Sequence, residues 1–98
     1  MLGRHESALQ MKRDVYSGRL KLFGEEHVNT IRAAYNYTTS LLHLKHFQEA
    51  KSLMRRTLPV AKRVLGESSE LALMMRSNYG MALHADDDAT LDDLREAV

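Results

Sequence analysis

The chain repeats part of itself 42 residues later, and that restricts it to folds built by stacking like units. At this offset eight of the 56 aligned pairs are identical: Leu2/Leu44, Ala8/Ala50, Arg13/Arg55, Gly24/Gly66, Glu25/Glu67, Asn36/Asn78, Tyr37/Tyr79 and Leu41/Leu83. Met11/Leu53, Lys21/Arg63, Leu22/Val64, Phe23/Leu65 and Ile31/Leu73 keep chemical type. The matches fall on one local pattern. A basic residue and two apolar residues lead into Gly-Glu, and an apolar segment with Asn-Tyr follows.

The periodicity inside each unit is helical. Ile31, Ala34, Thr38, Leu41 and Leu42 recur at three- and four-residue spacing, which puts them on one face of a helix within His27 to Leu44. Phe47, Ala50, Met54, Leu58, Ala61 and Leu65 do the same in the next helix. Only Lys45 and His46 break the two, so they must form an antiparallel hairpin. Gly24 and Gly66 stand where a glycine ends a preceding helix. Ser69 is the expected N-cap of the following one, with Glu70 favourably placed in its first turn. Ser7 to Phe23 reads as an earlier second helix, and Leu71 to Ala85 as a further first helix. Pro59, inside the helix from Phe47, predicts a kink, because the apolar spacing continues past it.

Asp86, Asp87 and Asp88 predict a stop, since anions at a helix C-terminus oppose its dipole. Thr90, with Asp93 three residues on, then predicts the N-cap of a short last helix. The chain thus divides into a preceding second helix (6–23), a full pair (27–65) and an incomplete second pair (69–98) of one domain, 1–98. The expected fold is all-α, with helix hairpins stacked as a short α-solenoid of about two repeats. The helix from Leu71 should then expose apolar side chains, and self-association through that open C-terminal edge is expected.

Composition narrows the chemistry. One proline and five glycines are too few for a sandwich of many turns. With no cysteine there is no disulfide scaffold or thiol chemistry, which suits a reducing, cytoplasmic setting. The longest apolar run, Leu71 to Met75, is too short to span a membrane. The net charge of +1 hides an asymmetry: about +7 up to Leu65 and −6 from Gly66 on.

The junction Phe23-Gly24-Glu25-Glu26-His27-Val28-Asn29-Thr30, the stretch Tyr35-Asn36-Tyr37-Thr38 and the opening Phe47-Gln48-Glu49-Ala50 together resemble the tetratricopeptide repeats of the kinesin light chain type. That family uses 42-residue helix–turn–helix units with a Leu-Gly-x-x-His-Pro-x-Thr junction, an Asn-Asn-Leu-Ala stretch and a Tyr-x-x-Ala opening. Val28 replaces the junction proline here. In the second unit Ser69 replaces the junction histidine, and Ser77-Asn78-Tyr79-Gly80 replaces Asn-Asn-Leu-Ala. The chain contains no coiled-coil heptad region, so a kinesin light chain itself is not supported. The resemblance implies a non-catalytic protein–protein interaction scaffold that takes a peptide in a concave groove lined by the first helices. Carried over position by position, the groove residues are Arg32, Tyr35, Asn36, Thr39 and His43, then Met74, Ser77, Asn78, Met81 and His84. An Asn amide can donate to and accept from an extended backbone, and Arg32 could pair with a carboxylate. The competing reading of Asn36 and Asn78 is that they bond neighbouring helices.

Catalytic and metal patterns fail on inspection. His5-Glu6 has Leu9 where a second zinc histidine must stand, and His43 and His46 straddle a turn without a third ligand. Asp86, Asp88, Thr90 and Asp92 alternate like a calcium loop, but Leu91 and Ala97 replace its glycine and glutamate. The glycines are scattered and cradle no phosphate. No enzyme activity, metal or cofactor is expected. Lys51, Arg55 and Lys62 share a stripe flanked by Arg56 and Arg63, so the alternative is a basic-faced module contacting nucleic acid. Interleaved aromatics are lacking, which makes a solvated basic face the better reading. Met11 and Met54 read as core filler.

Overall fold

A computed structural model describes residues 2–97, with side chains described over 3–85. It consists of four helices: α1 (Leu2–Phe23), α2 (Val28–His43), α3 (Phe47–Leu65) and α4 (Glu70–Ala97). No strand occurs among the described residues.

Each turn is closed by local chemistry. Gly24 and Gly66 take φ of 81° and 91°, a region that a Cβ disfavours. Their amides donate back to the carbonyls of Leu20 and Lys62, each at 3.0 Å. His27 caps α2: its backbone is extended, and its Nδ1 accepts from the Asn29 amide at 3.0 Å. The same imidazole stacks on Phe23, centroids 4.4 Å apart, tying the end of α1 to the start of α2. Ser69 does the equivalent job for α4, its Oγ accepting from the Ala72 amide at 3.2 Å. Between α2 and α3 the chain reverses with Lys45 at φ 63°. The amide of His46 reaches the Leu41 carbonyl and that of Lys45 the Leu42 carbonyl, the paired bonds of a Schellman turn.

Packing follows chain order. α1 lies on α2, α2 on α3 and α3 on α4, with a lighter α2–α4 contact. This is the neighbour-only pattern of stacked hairpins, in which α1 corresponds to α3 and α2 to α4. Two apolar clusters fill the stack. Leu9, Tyr16, Ala34, Leu41 and Ala50 belong to the first, and Ile31, Met54, Leu58, Ala72 and Met75 to the second. The predicted stripes are the buried ones: Ile31, Ala34, Thr38 and Leu41 on α2, and Ala50, Met54, Leu58 and Ala61 on α3.

Several expectations need correction. α1 starts at Leu2, ahead of the expected 6 or 7. α4 runs unbroken from Glu70 to Ala97, so neither the stop at Asp86–Asp88 nor the start at Thr90 occurs. The reason is magnitude. Three aspartates each cost only about 0.7 kcal/mol of helix propensity, and no glycine or proline accompanies them. Once the helix continues to 97, they no longer sit at its negative end. Met11 is not core filler but 67% exposed, whereas Met54 is fully buried. By contrast, α3 passes Pro59 without stopping and continues to Leu65, as the apolar spacing predicts.

Candidate peptide groove and its supporting network

The face shared by α2 and α4 carries a cleft of about 390 Å³ lined by Arg32, Tyr35, Asn36, Glu70, Leu71 and Met74. Four of these were expected from the sequence. Arg32, Asn36 and Met74 are exposed and Tyr35 half-buried, so the cleft has polar walls over partly apolar ground. Glu70 and Leu71 were missed. They belong to the first turn of α4, which the Ser69 cap holds in place, and they add a carboxylate to the lining that holds Arg32.

One helical turn along from Tyr35 runs a short hydrogen-bond relay. Asn78 donates through Nδ2 to Thr39 Oγ1 at 3.3 Å, and Thr39 donates to the Tyr35 carbonyl at 3.0 Å. Asn78 is 8% exposed. The two asparagines of the repeat are therefore differently employed: Asn36 faces solvent at the cleft, and Asn78 joins α4 to α2. The remaining expected residues do not converge there. His43 lines a separate cleft with His5, Lys12 and Ser40, between α1 and the end of α2. Ser77, Met81 and His84 are exposed along α4.

A second network holds three helices in register. Tyr37 on α2 donates to Glu49 Oε2 on α3 at 2.6 Å, and Arg13 Nε on α1 donates to the Tyr37 hydroxyl at 2.9 Å. Arg13 also bridges directly to Glu49 at 3.2 Å. The hydroxyl's hydrogen bond, joined by those of Arg13, holds the Glu49 carboxyl below the usual range. Burial, then the bond to Glu49, pushes the Tyr37 phenol up. The pair recurs one unit on, where Arg55 Nε donates to the Tyr79 hydroxyl at 3.4 Å. The sequence signal was present in the Arg13/Arg55 and Tyr37/Tyr79 identities, but the contact spans 24 residues and no local pattern reveals it.

The basic stripe on α3 is largely engaged in the fold. Lys51 is buried, Arg55 is on Tyr79, and Arg63 Nε donates to Glu26 at 3.1 Å. Among the described residues no group of three or more His, Cys, Asp or Glu side chains is gathered for a metal ion, and no helix is long and apolar enough to cross a membrane.

Compared with known families, residues 30–70 match the model described as the tetratricopeptide repeat. That segment covers α2 from Thr30 on, all of α3 and the first residue of α4. No curated protein and no solved structure matches the chain.

Proposed function

We propose, from the match of residues 30–70 to the tetratricopeptide repeat, a family of protein–protein interaction modules, that this chain is a non-catalytic scaffold binding an extended peptide along the α2–α4 face. The observation that carries the reading is the meeting of Arg32, Tyr35, Asn36 and Met74, from both units, in one cleft. Asn36 supplies a donor and an acceptor to a peptide backbone. Arg32 and Glu70 offer opposite charges to the ligand's side chains, and Leu71 and Met74 offer apolar contact. Thr39, Ser77, Met81 and His84 extend the path along the two helices, and His43 ends it beside α1. Nucleic acid is the weaker ligand, because Lys51 and Arg55 of the basic stripe, and Arg63 beside it, are already engaged within the fold. A cytoplasmic setting suits a chain without cysteine. Chain-to-chain contact at the open α4 edge is compatible with an occupied groove.

The test uses a peptide selected from a library, with affinity and melting measured on the same samples. Asn36→Ala should weaken binding by about 0.5–1.5 kcal/mol and leave the melting temperature unchanged. Arg32→Ala should weaken acidic peptides more than neutral ones, a difference that shrinks with salt. Asn78→Ala should instead melt early, with its folded fraction binding nearly normally. Full binding by the Asn36 and Arg32 variants would remove the groove assignment.

A further inference from the structure

The same arginine–tyrosine pair occurs in both units, and in the first it grips a carboxylate. Arg13 donates through Nε to the Tyr37 hydroxyl at 2.9 Å. Both residues also hold one oxygen of Glu49, the Tyr37 hydroxyl at 2.6 Å and Arg13 Nη2 at 3.2 Å. In the second unit Arg55 donates through Nε to the Tyr79 hydroxyl at 3.4 Å. Among the described residues no carboxylate completes this pair, so the Tyr79 O–H and the outer N–H groups of Arg55 are left to solvent. The pair is also looser, 3.4 Å against 2.9 Å, as expected where no anion draws the two donors together.

The surroundings of the second pair narrow what could carry the carboxylate. Arg55 and Tyr79 both line a cleft of about 270 Å³ between α3 and α4, completed by Met54, Leu58, Pro59 and Lys62. Met54 and Leu58 are buried and give it an apolar floor, and Pro59 adds an apolar ring. The rest of the lining is two cations and a phenol, with no acidic residue among them. A bare inorganic anion would pair with the cations and leave the apolar floor wet. An uncharged apolar molecule would cover the guanidinium and phenol without pairing them, which costs free energy. A carboxylate on a short apolar tail satisfies both parts. The cleft is smaller than the roughly 300–1,000 Å³ of pockets for drug-sized ligands, so the tail is short.

We propose that this cleft binds a free monocarboxylate on a short aliphatic tail, in class a medium-chain fatty acid. Its carboxylate takes the place on Arg55 and Tyr79 that Glu49 takes on Arg13 and Tyr37, and its tail covers Met54, Leu58 and Pro59. Tyr79 then donates to the carboxylate while accepting from Arg55 Nε, as Tyr37 does in the first unit. Lys62 adds a second positive charge to the lining. The site shares no residue with the α2–α4 cleft. As Glu49 ties α3 to α1 and α2, the bound carboxylate ties α3 to α4, so it stabilises the folded chain.

Octanoate titrated into the full chain tests this, with amide chemical shifts and melting temperature followed together. Shifts should gather at Met54, Arg55, Leu58 and Tyr79 and leave Arg32 and Asn36 unmoved, while the melting temperature rises with octanoate concentration. Affinity should climb about two- to fourfold per methylene from butanoate to octanoate. Octylammonium, with the same tail and the opposite charge, should shift nothing in the cleft. Arg55 is exposed and Tyr79→Phe keeps the ring, so Arg55→Gln and Tyr79→Phe should both keep their helical circular dichroism. Each should lower octanoate affinity about 3- to 10-fold. Arg56→Gln removes an exposed cation outside the cleft and should leave the affinity unchanged. Octanoate shifts that miss the cleft, an affinity indifferent to tail length, octylammonium binding as well as octanoate, or undiminished binding by the Arg55→Gln and Tyr79→Phe variants overturns the proposal.

Discussion

At the scale of single residues, the fold depends on side chains that bridge helices at their edges. Glu49 accepts from Tyr37 and Arg13 at once, and its carboxyl is held below the ordinary range chiefly by the Tyr37 hydroxyl. A depressed carboxylate contributes stability in full above its unfolded value and loses it as the pH falls through the folded one. Glu49→Gln should therefore be less stable than the wild type near neutrality, by about 0.5–1 kcal/mol for a network at the surface. The gap should close as the pH drops below the carboxylate range, and urea titrations across pH will read it. Lys45 offers the opposite test. It holds φ 63° in the Schellman turn, where a side chain costs about 1 kcal/mol and glycine costs almost nothing. Lys45→Gly should raise stability by about 0.5–1 kcal/mol in the same titrations.

At the scale of elements, the sequence was legible where local chemistry decides. Gly24, Gly66 and Ser69 announced their turns because a positive φ and an N-cap each select a narrow set of residue types. The buried stripes of α2 and α3 followed from spacing alone. Features resting on distant partners were not legible. Nothing near Lys51 in the chain says that it is buried, and Asn36 and Asn78 look alike until tertiary packing places one in the α2–α4 contact and the other at the cleft. The reading of α4 failed differently. The aspartates at 86–88 carry only a weak local penalty, and helix propensity is small beside continued backbone bonding. The same arithmetic makes Gly80 the larger local cost in α4. A Cβ there meets nothing within 4 Å, so Gly80→Ala should stabilise the helix by about 1 kcal/mol and raise the melting temperature.

At the scale of the whole molecule, each helix packs on its chain neighbours, and the lighter contact between α2 and α4 leaves a cleft between the first helices of the two units. That α2–α4 cleft is the face proposed to take a peptide. The central claim is the location of the binding face, and amide chemical-shift mapping during titration with a library-selected peptide tests it most directly. Changes should concentrate on Arg32, Tyr35, Asn36, Leu71 and Met74, with smaller ones at Thr39 and Asn78, which are bonded to Tyr35 and to each other. Changes confined to the exposed stripe of α1 or the basic side of α3, with the α2–α4 face silent, would contradict it.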